Sequence, residues 1–234
     1  MLNARKLKII AAIPCFNTEP HIGDIVSRAK KYVDKVIVIN DGSDDQTNTA
    51  AQDAGAMVIS HEVNQGYDEA IRSCFRAASS EKADVLVILD GDAQHDPDEI
   101  PFLLGPILNQ AADLVIGSRF MTKEHNMPGY RKFGISVITL LWNVGSRINV
   151  TDSQSGFRAY TKNAFEMLRV TEKGMGASIE ILEQARRANL SIKEVPISCV
   201  YSHAAIHTEA ITHGLQVALA VLKVRLKYHH EVRV

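Results

Sequence analysis

Val85-Leu86-Val87-Ile88-Leu89-Asp90-Gly91-Asp92 is the stretch on which the fold turns. Five apolar residues in a row, without the alternation of a half-exposed strand, describe a strand buried on both faces, as in a parallel sheet covered by helices on each side. The run then stops in two carboxylates separated by one glycine. Working outward, the same form recurs. Lys8–Ile13 runs into Pro14-Cys15-Phe16-Asn17, and Val36–Asn40 runs into Asp41-Gly42-Ser43-Asp44. Ala56–Ser60 and Leu114–Gly117 are further strands, and segments at helical period fill the gaps at Ile22–Tyr32, Asp45–Ala54, Tyr67–Ala78 and Asp98–Asn109. This alternation predicts an α/β fold with a mostly parallel central sheet flanked by helices and joined by right-handed crossovers. Ligands of such sheets bind beyond the carboxyl ends of the strands, so three acidic or amide clusters are expected on one rim.

The second half is less regular. It predicts a long apolar helix near Arg131–Arg147, a polar loop from Thr151 to Gly156, a helix near Ser178–Ala188 and a strand at Ile192–Pro196. Residues 201–234 read as a C-terminal loop and a helix near Glu209–Tyr228. No repeat, low-complexity tract or linker marks a boundary, so residues 1–234 are read as one domain.

Hydrophobic residues at 46% and charged residues at 23% argue against a disordered chain or a disulfide scaffold. The net charge of -1 offers no broad attraction to nucleic acid, so anionic ligands must be met locally. Cys15, Cys74 and Cys199 lack metal-ligand spacing and fit a reducing compartment. The N-terminus has no secretory signal, and Gly134–Val144 and Leu215–Leu226 are too short or too interrupted by Lys223 and Arg225 to span a membrane. The expected location is the cytoplasm, including a peripheral position at the cytoplasmic membrane face.

Asp90 and Asp92, aimed from one turn, suit a hard cation. Mg2+ or Mn2+ prefers oxygen ligands and usually completes its shell with substrate phosphates, which a diphosphate supplies. The same residues also fit a solvated acidic turn before a helix, since Asp96-Pro97-Asp98 has the form of a helix start. Asp41 reads either as a routine Asp-Gly turn or as an acceptor for a nucleobase or ribose at the crevice.

Taken in order, Pro14-Cys15-Phe16-Asn17, Asn40-Asp41-Gly42-Ser43, Asp90-Gly91-Asp92-Ala93-Gln94-His95, Gly117-Ser118-Arg119-Phe120 and Asp152-Ser153-Gln154-Ser155-Gly156-Phe157-Arg158 resemble family 2 glycosyltransferases, in particular the dolichyl-phosphate mannose synthase-like branch. The resemblance spans about residues 8–200. It implies the GT-A fold, a nucleotide-sugar donor and inversion at the anomeric carbon. Carried over by position, it implies that Pro14, Asn17 and Asp41 hold the nucleoside. Asp90, Asp92 and Gln94 would surround the metal and diphosphate, and Arg119 and Arg131, with Ser136 nearby, would meet the acceptor phosphate. The chain departs from that pattern at Asn40, where the family often has a first Asp, and at Tyr67 and Asp68 after Asn64-Gln65-Gly66. It also lacks the usual basic pattern at Tyr201–His207, where His203 and His207 are read either as aids to the diphosphate or as surface residues.

A polyprenyl phosphate acceptor would arrive largely ionised, because a phosphate monoester has its second pKa at about 6, and would need positioning more than a base. A hydroxyl acceptor would need a base, for which Asp152 is the candidate. Other readings are a nucleotidyltransferase, for which the glycine-rich activating loop is missing, and a noncatalytic nucleotide-sugar-binding protein. A dinucleotide fingerprint and a P-loop are absent. The sugar, the choice of UDP or GDP, and whether the chain forms a homo-oligomer stay open.

Overall fold

The computed structural model of the chain describes residues 6–122, 127–146, 148–174 and 176–201. β1 (Ile9–Cys15), β2 (Lys35–Asn40), β3 (Met57–Ser60), β4 (Val85–Ile88) and β5 (Leu114–Ser118) form where the apolar runs predict them. In β1, Ile10 and Ala12 face one side of the sheet, Ala11 and Ile13 face the other, and all four are fully buried. A strand that must bury both faces cannot carry polar residues at alternate positions, which is why its sequence reads as an unbroken run.

Helices cover each face. α1 (Glu19–Ala29) buries Ile22, Ile25, Val26 and Ala29, a single stripe at helical spacing. With α2 (Thr47–Asp53) and α4 (Ile100–Leu108) it packs on the side of Ala11 and Ile13. The opposite face is covered by α3 (Tyr67–Ser80), α5 (Gly129–Asn143), α6 (Lys162–Met167) and α7 (Gly176–Arg187). Trp142, Tyr160 and Phe165 are all fully buried there. Truncating one such aromatic to alanine costs about 3–5 kcal/mol, so this layer holds much of the fold's stability.

The sheet order is β3-β2-β1-β4-β6-β5-β7, with β6 (Arg158–Thr161) and β7 (Ile192–Pro196) closing the second half. β6 was not among the expected strands. It lies between β4 and β5 and runs antiparallel to both, pairing Leu86 with Tyr160 and Leu114 with Tyr160. The other neighbouring pairs are parallel. Because β6 runs the opposite way, its preceding loop, Thr151–Phe157, reaches the same rim as the carboxyl ends of β1, β2, β4 and β5.

Some element ends differ from expectation for local reasons. The helix expected from Asp98 is split: Pro97–Glu99 is a 3-10 turn capped by Asp96, whose carboxylate accepts the Asp98 N–H at 3.0 Å, and α4 follows. α2 starts at Thr47 because Asp45 accepts the Thr47 N–H at 3.0 Å and ends the preceding turn. α5 starts at Gly129 after Pro128 and stops at Asn143. The helix expected over Glu209–Tyr228, together with His203 and His207, lies outside the described residues. Among the described residues, no helix is long and apolar enough to cross a membrane.

Candidate active site

The acidic turn hangs on the end of β1. Gly91 N–H donates to the Pro14 carbonyl at 3.2 Å, and a Cβ at Gly91 would come within 2.7 Å of Cys15 Cβ, so glycine is what allows the approach. Pro14 itself is buried in β1 and contributes this carbonyl. Behind the turn, Gly156 presses on Asp90: a Cβ there would lie 2.5 Å from Asp90 Oδ2. Burial pushes the Asp90 carboxyl up to about 6, against the pull of Arg119 and Arg158. Burial and then the Asp90 charge also raise Asp92. Asp92 reaches the surface, where its oxygens accept the Gln94 N–H at 3.0 Å and the Gln94 side-chain amide at 2.5 Å. Ala93, between them, holds a left-handed φ of 61°, a conformation that costs a non-glycine residue energy and that turns Asp92 and Gln94 toward each other. His95 is buried against Phe157, with ring centroids 5.3 Å apart, and burial, aided by Arg119, lowers it to about 4, so it is neutral at physiological pH.

A second cluster stands beside this turn. Arg119, at the end of β5, grips the fully buried Asp152 through Nε at 2.6 Å and Nη2 at 2.8 Å, and its Nη1 donates to Tyr201 Oη at 3.0 Å. Burial works against the guanidinium charge, but the Asp152 hydrogen bonds outweigh it and hold Arg119 above the usual arginine value. Three of its five N–H groups are thus used, leaving one on each terminal nitrogen. Arg131, in the first turn of α5, stacks over the Tyr201 ring with its central carbon 5.1 Å from the centroid. Tyr201 therefore joins two arginines that lie on separate elements. Val200 N–H donates to the Gln94 carbonyl at 3.1 Å, which ties this segment to the acidic turn.

The third cluster follows β2. Asp41 is buried, and its carboxylate accepts Gln65 N–H at 2.9 Å, Gly66 N–H at 2.8 Å and the His61 ring at 2.6 Å. Asn17, exposed and held at a φ of 52°, accepts Asp44 N–H at 2.9 Å and donates its own N–H to Ser43 at 2.9 Å.

The family model for glycosyl transferase family 2 matches residues 10–169, from β1 past α6 and across all three clusters except Tyr201. The chain belongs to glycosyltransferase family 2. A UDP-N-acetylglucosamine–dolichyl-phosphate N-acetylglucosaminyltransferase of Methanococcus voltae is 33% identical over 219 residues, covering 83% of this chain and 86% of its own. An undecaprenyl-phosphate mannosyltransferase of Micrococcus luteus is 31% identical over 206 residues, covering 83% and 84%. Among solved structures, glucosyl-3-phosphoglycerate synthase of Mycobacterium tuberculosis, crystallised with Mn2+, UDP and glucosyl-3-phosphoglycerate, superposes with a TM-score of 0.74 at 24% identity. That match covers 93% of this chain and 80% of the synthase, and it gives the chain the GT-A fold.

In this family 2 chain the donor set of the acidic turn fits a hard divalent cation. Asp90 is a carboxylate pushed up by burial, and its charge helps raise the neighbouring Asp92, a pairing that a bound cation would ease. The glycine at 156 puts no Cβ against Asp90 Oδ2, and the Gln94 side chain stands at Asp92, donating to it through its amide nitrogen. No group of three His, Cys, Asp or Glu residues gathers among the described residues.

Not every expected site residue takes the expected place. Asp152 was the candidate base, yet it is fully buried with both oxygens engaged by Arg119 and by Gln154 N–H at 3.2 Å, an arrangement that orients the arginine rather than awaiting a proton. Ser136 is exposed on α5, but five residues beyond Arg131 place it about 140° around the helix, away from that arginine. His61, Tyr201 and Arg158 belong to the site and were not expected. Arg158 is buried and donates to the carbonyls of Ser153 and Ser155, both at 2.8 Å, and so braces the loop that presses on Asp90.

Proposed function

We propose that the chain is an inverting glycosyltransferase that moves a sugar from a UDP- or GDP-linked donor to a polyprenyl phosphate. The observation that carries the acceptor is the Arg119–Tyr201–Arg131 assembly beside the acidic turn. It places two cations of different origin around one aromatic ring, where a phosphate can be met by N–H groups that Asp152 leaves free. The donor side rests on the acidic turn, and the names of the M. voltae and M. luteus relatives support a lipid phosphate.

Asp90, Asp92 and Gln94 would hold Mg2+ or Mn2+, which when bound neutralises the charge that develops on the departing nucleoside diphosphate. The remaining work belongs to the chain. Asp41 keeps one lone pair beyond the three donors described, on Oδ2, for an N–H of the nucleobase, and Asn17 lies beside it at the rim. Arg119 and Arg131 hold the acceptor phosphate so that its oxygen attacks the anomeric carbon from the face opposite the leaving group. The anomeric C–O bond to the diphosphate breaks as the new one forms, and no general base is needed for an ionised phosphate. Tyr130, Phe133, Leu140 and Val144 are exposed along one side of α5, an apolar stripe on the helix face away from Arg131 that would make membrane contact peripheral.

The test is transfer to a short-chain polyprenyl phosphate by the wild type, Arg131→Ala and Arg131→Lys, with donor binding followed by calorimetry. Arg131→Ala is expected to lose roughly tenfold or more in transfer, the weight of a charge-assisted contact, while donor affinity holds. Lysine should rescue only in part, because it lacks the bidentate fork. Unchanged transfer, or activity on hydroxyl acceptors alone, overturns the assignment.

A further inference from the structure

Asp41 and His61 come together through register. Parallel pairing aligns Asn40 with Ser60, so the next residue of each strand stands side by side, and His61 N–H closes on the Asn40 carbonyl at 2.9 Å. Nδ1 of the ring lies 2.6 Å from Asp41 Oδ1, and Nε2 lies 2.8 Å from Ser73 Oγ. Ser73 in turn accepts from Arg76 Nη2 at 2.8 Å, and Arg76 is anchored on Glu69 at 2.6 Å. The donors order themselves. A carboxylate can only accept, so Nδ1 carries the proton toward Asp41, and with that tautomer Nε2 accepts the Ser73 hydroxyl. That leaves the Ser73 oxygen free to accept from Arg76, and no member of the chain is left unsatisfied. His61, Asp41 and Ser73 are each at least nine-tenths buried, so the geometry is fixed by packing as well as by hydrogen bonds.

We infer that His61 is a positioning residue for Asp41: its ring, tautomer-locked by Ser73 and Arg76, sets the angle at which the remaining Asp41 lone pair meets the nucleoside. The inference rests on the reading of Asp41 as a nucleoside contact. Asp41 also receives Gln65 and Gly66 N–H, and Gly42 packs so closely on this loop that a Cβ would lie 2.5 Å from Asn64 N. Displacing the ring therefore disturbs the carboxylate and the loop together. A cleft of about 370 Å³ bounded by Met57, Ile59 and Ala77 opens beside the ring, giving a longer side chain room without repacking the sheet.

Two substitutions of similar size separate positioning from simple packing. His61→Asn keeps an N–H donor near the place of Nδ1, whereas His61→Gln keeps one near the place of Nε2. With the full chain and Mn2+, calorimetry against UDP and GDP is expected to show His61→Gln binding the preferred nucleotide about tenfold more weakly, with His61→Asn within about threefold of the wild type. A ring 15N spectrum of the wild type should show the proton on Nδ1, and hydrogen exchange at the Gln65 and Gly66 amides should quicken in His61→Gln but not in His61→Asn. Equal nucleotide affinity in both folded variants, or an Nε2-protonated ring, overturns the inference. If the wild type binds neither nucleotide, the nucleoside reading of Asp41 fails by itself; the ring spectrum and the two amides then decide whether His61 positions the carboxylate.

Discussion

Asp90→Asn should stabilise the metal-free protein while removing its activity. In the folded chain the Asp90 carboxyl is pushed from its ordinary 3.8 up to about 6 by burial. Each pKa unit corresponds to about 1.4 kcal/mol, so the ionised form carries a ceiling of about 3 kcal/mol of strain at pH 8. The side chain keeps 29% exposure, which solvent screening converts into a practical gain of about 1–2 kcal/mol for the neutral amide. The sign follows from proton binding. Between 3.8 and about 6 the folded state holds the proton more tightly than the unfolded chain, so the wild-type penalty is full above about 6, shrinks as pH falls through that value, and is gone below 3.8. For a chain of this size, thermal denaturation in EDTA should show Asp90→Asn melting about 2–8 °C higher at pH 8, with the gap closing toward pH 4. Adding Mn2+ should raise the wild-type midpoint and leave the variant where it was. A variant no more stable than wild type, or a gap independent of pH, refutes the claim that this carboxylate is held in an electrostatically unfavourable place.

Gly156→Ala should keep the fold and weaken metal-dependent donor binding, because its Cβ would stand 2.5 Å from Asp90 Oδ2; a calorimetric Mn2+ titration with UDP unchanged from wild type contradicts this. Asp152→Ala should destabilise by about 3–5 kcal/mol in urea denaturation, since it strands the buried Arg119 cation, and adding Arg119→Met should recover part of the loss. Retained wild-type stability in Asp152→Ala would mean that the pair is not the anchor described. Asp41→Ala should weaken free UDP or GDP as much as the corresponding nucleotide sugar; a loss confined to the nucleotide sugar places Asp41 at the sugar instead.

Much of the sheet was legible because β1, β2, β4 and β5 are buried on both faces and carry that burial in their composition. β6 was not, for the opposite reason. Its four residues, Arg158-Ala159-Tyr160-Thr161, open with a charge, and only the tertiary setting divides Ala159 and Tyr160 between the two cores. The acidic turn at Asp90 and Asp92 was visible because carboxylates directly after a buried strand have nowhere to go but the rim. Relations between distant segments were not visible. Arg119 and Asp152 looked like separate agents, a phosphate ligand and a base, and no local pattern announces that they pair across 33 positions of sequence. His61 offered a faint signal, since it stands one residue past β3 as Asp41 stands one past β2, but only the strand register makes that offset meaningful.

The reversed direction of β6 divides the rim in space. The side proposed for the nucleotide is written in one uninterrupted stretch, from β1 to the acidic turn, on parallel strands alone. The side proposed for the acceptor is contributed by β5, α5 and the loop that the backward strand delivers to the rim, with Tyr201 added from beyond β7. Such a layout is modular. The stretch from Arg119 to Phe157 enters at β5 and leaves at β6, two strands that are hydrogen-bonded neighbours, so it can be exchanged as a cassette without rethreading the sheet. A chimera carrying that cassette from another family member would be expected to inherit a new acceptor while keeping its old donor.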